Sequence, residues 1–307
     1  MNRLAGIIVA AVGLVVAVLS ILKIVPGLTQ PGIFMIVVGG LIIGLSFIDK
    51  PDPEGVPRMS TANTLLNIFI SPAETFQNLR RHPRWLVAAL IISLLSAVFL
   101  NLFIYRLTAE RVVNYTVDKT LEMPMLNDQA RKQIEAGRES AIEENRNPVS
   151  KAGQAVSSFG GTVMRYSVYA LLFLVFATVM GGKINFWQAF SVAVYAAFPV
   201  AVVSSILSII ILFLKDPVDI HPILGQGNLV QDNLGFLFRP AERPALYAFA
   251  SHISLFWFYW LWLIATGLKN AGERISTSAA WATALFLFGV LLVFGVAGAF
   301  LFSSFLS

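Results

Sequence analysis

The chain is predicted to be all-α, a polytopic bundle of about seven transmembrane helices, and three observations predict it. Of 307 residues, 57% are hydrophobic and only 13% charged, against about 25% charged in a typical soluble domain. Long windows carry no Asp, Glu, Lys or Arg at all. Seven of these windows approach the roughly 20 apolar residues that a helix needs to cross a bilayer. The mean hydropathy of +0.74 agrees.

The first window, residues 4–24, follows a basic start, MNR, as a signal peptide would. Its apolar run exceeds the usual 7–15 residues of a signal core, and no A-x-A site follows it. A second apolar run, 33–48, comes after the turn-forming stretch PGLTQPG. Residues 1–48 are therefore predicted to be a retained helical hairpin, 49–63 a linker, and 64–307 a five-span membrane domain. The remaining windows are 85–105, 166–180, 186–214 with Pro199 in its middle, 248–268 and 279–306.

Orientation follows the Lys and Arg of the short loops. The side holding the N-terminus carries Arg3, Lys50, Arg58, Arg80, Arg81, Arg84, Lys183, Lys269 and Arg274. The other side carries Lys23, Lys215, Arg239 and Arg243, leaving aside the one long loop, which translocates regardless of charge. A cytoplasmic N-terminus and an outside C-terminus are expected. The formal charge of +5 is spread over these loops, with no basic stripe interleaved with aromatics. The charge therefore speaks for membrane topology and against nucleic acid.

Two polar regions would then face outward. Residues 106–165 form an extracytoplasmic insertion rich in Glu, Arg, Gln and Ala. Asn127 is placed to cap a helix that ends near Pro148. Sparse apolar positions predict a solvated helix or helical hairpin rather than a separate core. Residues 215–244, with four prolines and three glycines, read as irregular loop. Their segment ILGQGNLVQDNLGFLF is apolar for a loop; it is expected either on the bilayer surface or packed on the insertion.

The stretch ISPAETFQNLRRHPRW, Ile70 to Trp85, reads as a short interfacial helix entering the third window. Ser71 is the expected N-cap, Glu74 its capping-box partner and Pro72 the first helical residue. Arg80 and Arg81 suit the helix C-terminus, and Trp85 the lipid–water interface. Arg80, Arg81 and Arg84 would meet anionic headgroups, while the preceding LLNIFI supplies apolar surface to embed there. These residues serve either as topology anchors or as a helix that senses a partner or lipid.

Catalytic chemistry is scarce. The chain has no cysteine, and His82, His221 and His252 fall in no metal-ligand spacing. No phosphate-loop, nucleophile-elbow or zinc-protease motif occurs in a sensible context. No catalytic residue, metal or cofactor is predicted. The spans hold no interior charge of the kind an ion-coupled transporter uses. Their polar candidates are Ser204, Ser205 and Ser208 in the fifth, Asn101 in the third, and His252 beside aromatics in the sixth. Pro199 frees the carbonyl of Tyr195, which serines can re-satisfy. Gly40 with Gly44, and Gly295 with Ala299, have the spacing of close helix contacts, within one chain or in a homo-oligomer.

Three stretches resemble the Yip family of membrane proteins: ISPAETFQNLRRHPRW, then GGKINFWQAFSVAVYAAFP from Gly181 to Pro199, then WLIATGLKNAGER from Trp262 to Arg274. The resemblance covers residues 65–305 and implies five spans; the missing catalytic motifs, separately, predict no enzyme. It departs from the family in the added N-terminal hairpin and the long insertion. Eukaryotic members resemble trafficking factors that contact small GTPases through a long cytosolic N-terminal region, which has no counterpart here. A bacterial-type member of the inner membrane is expected. The leading expectation, read from the interfacial helix, is a membrane scaffold contacting lipid or protein partners through Phe76, Leu79, Arg80, Arg81 and Arg84, with Phe186 and Trp187 as a second anchor. A channel or permease for a neutral or lipid-like solute, lined by Pro199, Ser204, Ser205 and Ser208, is the competing expectation.

Overall fold

The structure, a computed structural model, describes residues 2–22, 29–45, 57–124 and 126–306. Part of the PGLTQPG turn, the end of the second window, Lys23, Lys50 and most of the expected linker lie outside the described residues. The helices are α1 (Asn2–Ile21), α2 (Thr29–Leu45), α3 (Thr61–Ile70), α4 (Pro72–Arg81), α5 (Leu86–Leu107), α6 (Ala109–Leu121), α7 (Asp128–Ala136), α8 (Arg138–Arg146), α9 (Pro148–Val179), α10 (Phe186–Leu214), α11 (Pro244–Ser251), α12 (Leu255–Ala271) and α13 (Thr277–Leu301). The all-α fold is as expected. Among the described residues, α5, α9, α10 and α13 are long and apolar enough to cross a membrane, fewer than the seven predicted.

Two windows differ in instructive ways. The fourth was predicted at 166–180, but α9 starts at Pro148 and runs 32 residues, about 48 Å at 1.5 Å per residue. The last part of the expected insertion is thus the polar first half of a spanning helix. The sixth window is cut between Ser251 and Leu255. There Asp232 accepts hydrogen bonds from the Ser254 hydroxyl and, at 3.0 Å, from the Phe256 N–H. Ser254 Oγ in turn accepts from the Trp257 N–H. A carboxylate reaching in from the loop caps the orphan amides of α12, so the helix restarts there.

The chain divides into two compact units. The first comprises Met1–Leu94, Gly153–Ala201 and Tyr259–Phe288. In it α1 lies on α2 with glycine at the crossing: a Cβ at Gly39 would stand 2.5 Å from the Ala10 nitrogen, and one at Gly32 2.6 Å from that of Ala17. Gly40 and Gly44, the spacing noted in the sequence, face nothing within 4 Å. The main core of this unit gathers Ile68, Phe76, Leu79, Trp85, Phe173, Phe190, Tyr195, Leu263 and Ile264, all fully buried.

The second unit comprises Leu95–Ala152, Val202–Phe258 and Gly289–Ser307. The insertion folds largely through charge. Arg138 bonds Asp118 at 2.7 Å and Glu135 at 2.8 Å, Arg146 pairs with Glu110, and Arg131 donates to the carbonyls of Leu121, Met123 and Leu126. Asn127 caps α7 as expected, accepting from the Ala130 N–H at 2.8 Å. A small apolar cluster of Ile104, Ala109, Val113 and Ile142 joins α5, α6 and α8. The start of the 215–244 loop packs on the insertion, with Ile220 buried among Phe99, Phe103, Leu107, Val112 and Leu212; of the apolar segment 223–238, Leu229 packs against the same cluster.

Candidate functional site

The site lies within the first unit and starts from a turn. Helix α9 ends in a Schellman motif: the Gly182 N–H reaches the Ala177 carbonyl at 2.9 Å, and the Gly181 N–H that of Thr178 at 3.0 Å. Gly181 has φ +81, in the left-handed region that glycine enters without strain. Gly182 is held for a second reason, since a Cβ there would stand 2.6 Å from Ile275. The chain leaves the turn as a two-residue antiparallel bridge. Lys183 N–H donates to Glu273 O at 2.7 Å and Glu273 N–H to Lys183 O at 2.6 Å.

Two residues further on, Asn185 and Gln188 form a reciprocal cap on α10. The Gln188 N–H donates to Asn185 Oδ1 at 2.9 Å, and the Asn185 N–H to Gln188 Oε1 at 3.0 Å. Gln188 Nε2 then donates to the Arg80 carbonyl at 2.9 Å, closing the C-terminus of α4. The sequence carried this signal, an Asn followed three residues later by Gln ahead of an apolar run. The box was predicted at Ser71 and Glu74 instead. Ser71 makes no side-chain cap. It sits between two helices, and its carbonyl accepts from both the N–H and the hydroxyl of Thr75. The side-chain cap in this region belongs to Ser60, which accepts from the Asn63 N–H at 3.1 Å at the start of α3.

Helix α4 is bound on both sides. Asn78 holds the preceding strap, donating to the Pro57 carbonyl at 3.0 Å and accepting from the Met59 N–H at 3.3 Å. Arg84 adds a third tie, Nη2 to the Met59 carbonyl at 2.7 Å. Toward α12, Gln77 donates to Asn270 at 3.1 Å and Arg80 to Glu273 at 2.8 Å. The three stretches that carried the resemblance, 70–85, 181–199 and 262–274, are therefore one physical object.

This geometry revises the expected contact residues. Phe76 and Leu79 are 0% exposed; the Phe76 ring fills the space a Cβ at Gly267 would need, 3.1 Å away. Phe186 and Trp187 are buried too, Phe186 stacked on Phe190 at 5.7 Å. Arg84 is 4% exposed. Its burial and the nearby Arg58 cation pull its pKa down, while Tyr195 opposes them. These five residues are interior, not a lipid- or partner-facing surface. A short amphipathic helix reads the same whether its apolar face meets lipid or protein, and the partner helix α12 was invisible in the local pattern.

What remains exposed is cationic. Arg58, Arg81, Lys183, Lys269 and Arg274 are exposed and Arg80 half so, against the exposed carboxylates of Glu74 and Glu273. Hydrogen bonding from Arg80, then its charge, hold the Glu273 carboxyl below the usual carboxylate range. A cleft of about 510 Å³ opens between strap and α4, lined by Pro57, Met59, Glu74, Gln77, Asn78, Arg80 and Arg81. Beside it α3 turns apolar residues outward, Leu66 at 63% and Ile70 at 81% exposure.

The residues of the expected solute path fall in different units. Pro199, buried inside the uninterrupted helix α10, belongs to the first. Ser204, Ser205 and Ser208 belong to the second. Ser208 is buried and committed: its hydroxyl lies 2.7 Å from Asn228 Oδ1 and accepts from the Leu229 N–H at 3.1 Å. His252 sits beside Trp257, ring centroids 5.0 Å apart, as expected, and its ring fills the space over Gly295. Among the described residues no cluster of three His, Asp or Glu could hold a metal.

The Yip1 domain family model matches residues 66–299. No protein of curated description and no solved structure matches the chain. The matched span runs from α3 to the last turns of α13 and contains all three converging stretches, while the α1–α2 hairpin precedes it. The chain is an integral membrane protein of the Yip family.

Proposed function

We propose that the protein is a non-enzymatic membrane scaffold. Its basic platform rests on anionic headgroups at the cytoplasmic face and presents the strap–α4 cleft to membrane-protein partners. The observation that carries this reading is that the segments bearing the exposed Arg58, Arg81, Lys183, Lys269 and Arg274 are bonded to one another in the first unit, with Arg80, Lys183 and Arg274 all acting on the Glu273 carboxylate. Charges near an anionic surface contribute about 1 kcal/mol each. The outward apolar residues of α3 add the embedded area that an interfacial helix requires. The same bonding supports the expected topology, since loops counted on the N-terminal side by charge meet each other in space. A bacterial inner-membrane location with a cytoplasmic N-terminus belongs to the same reading.

The test is isolation in native lipid nanodiscs, comparing wild type with an Arg81→Glu, Lys183→Glu, Lys269→Glu variant after insertion is verified. The reading expects a defined protein set and anionic lipid to co-purify with wild type and to be lost from the variant. Identical protein and lipid content in both samples would overturn it.

A further inference from the structure

A histidine in the second unit is built into an arrangement that only its neutral form satisfies. His221 Nδ1 faces two backbone donors, the N–H of Ile223 at 3.2 Å and that of Leu224 at 3.1 Å. An imidazole nitrogen that accepts from two amides carries no proton, so these partners assign the proton to Nε2. Nε2 then donates to the Tyr115 hydroxyl on α6 at 3.1 Å, with the two rings edge to face at 5.1 Å.

The loop this ring organises is tied to α6 at a second point. Arg111 donates to three of its carbonyls: Pro217 at 2.5 Å, Val218 at 3.2 Å and Ile220 at 3.1 Å. Ile220, next to the histidine, is in the core, and Phe103 of α5 lies against Gly225. The charges acting on the ring, Lys119 and Arg111, are both cationic and both come from α6. The helices packed on the loop otherwise bring apolar side chains, Phe99, Phe103 and Leu107 from α5 and Leu212 from α10. Of the loop's own carboxylates, Asp216 is taken up by the Val218 N–H at 2.9 Å.

We propose that His221 is an acid-release latch: neutral, it holds residues 217–226 on α6, and protonated, it lets that loop go. Protonation would place an N–H on Nδ1 against two N–H donors. Both hydrogen bonds would be lost, and a third cation would stand beside Lys119 and Arg111. Burial, with help from those two cations, pushes the His221 pKa below the ordinary 6.5. The sign follows. The latch's contribution is complete above about 6.5, the unfolded value, and is lost as pH falls through it toward the lowered folded value. Each unit by which the folded value is depressed changes the closed-to-open ratio tenfold. The inference stands apart from the headgroup platform, which lies in the other unit.

The experiment is hydrogen exchange on the full chain in nanodiscs, with protection factors for residues 217–226 corrected for intrinsic rates. Between pH 7.5 and 5 these factors are expected to fall in wild type, while those of α12 stay constant. In His221→Gln, whose amide can accept and donate but does not titrate, the pH dependence is expected to vanish. NMR titration of the His221 ring in wild type gives the second measurement, independent of whether the variant folds. Constant protection of the loop across this range, pH dependence that persists in His221→Gln, or a ring pKa at or above 6.5 would each overturn the proposal.

Discussion

Arg80 and Glu273, 193 positions apart in the chain, meet at 2.8 Å. The pair marks where the first and third Yip-like stretches join, but it is a surface pair, with side chains 38% and 54% exposed. Such pairs contribute about 0–1 kcal/mol. That junction is also held by Gln77, which donates to Asn270 at 3.1 Å, and by the Phe76 ring against Gly267, while the mutual backbone bonds of Lys183 and Glu273 join the second stretch to the third.

Glu273→Gln is accordingly expected to lower stability by less than about 1 kcal/mol, with an effect that shrinks in high salt. Because the Glu273 pKa is depressed, its contribution is present above the ordinary carboxylate value and fades as pH falls through the folded one. Gly182→Val, which drives a side chain into Ile275, is expected to destabilise more than Glu273→Gln. Detergent-driven unfolding at pH 7 and pH 4 checks both. A larger loss for Glu273→Gln than for Gly182→Val would reverse the ranking.

Phe76→Ala is expected to cost about 3–5 kcal/mol, and Leu79→Ala about 2–5, as for other large-to-small changes in a core. Unfolding of the purified variants in mixed micelles measures this. A loss under about 1 kcal/mol would mean that these side chains are not core.

In the hairpin, Gly39→Leu is expected to separate α1 from α2, whereas Gly40→Leu, with open space before it, is expected to be tolerated. The chain has no cysteine of its own, so engineered cysteine pairs in the two helices give a clean crosslinking readout. Equal crosslinking in both variants would contradict the close contact at Gly39.

Asp232→Ala removes the cap that breaks the sixth window and is expected to cost about 1 kcal/mol, within the 0.5–2 range for lost N-caps. The amides of Phe256 and Trp257 should exchange faster, while the middle of α12 is unaffected. Unchanged exchange at those two amides would show that the carboxylate does not cap the helix.

The helical class was legible because apolar length alone specifies it, and α10 falls on its predicted bounds, 186–214. The Asn127 cap was legible because its signal is local. Asp232 was not, since a cap supplied from 24 residues away leaves no mark beside the helix. The site was half legible. Its basic residues were found through loop charge, which depends on sidedness and not on packing. Phe76, Leu79, Phe186 and Trp187 were found but given to the wrong environment, because local amphipathicity does not say whether lipid or α12 covers an apolar face. The Asn185–Gln188 box was readable and passed over in favour of Ser71.

The central claim is that the α3–α4 region lies on the bilayer with α3 facing lipid and α4 facing protein. Spin labels at Leu66→Cys, Ile70→Cys and Arg81→Cys, in nanodiscs with and without anionic lipid, test it most directly by collision with oxygen and with a water-soluble nickel chelate. The account predicts high oxygen and low nickel access at 66 and 70, and nickel access at 81 that falls when anionic lipid is present. Free nickel access at 66 and 70 in both lipid compositions would contradict it.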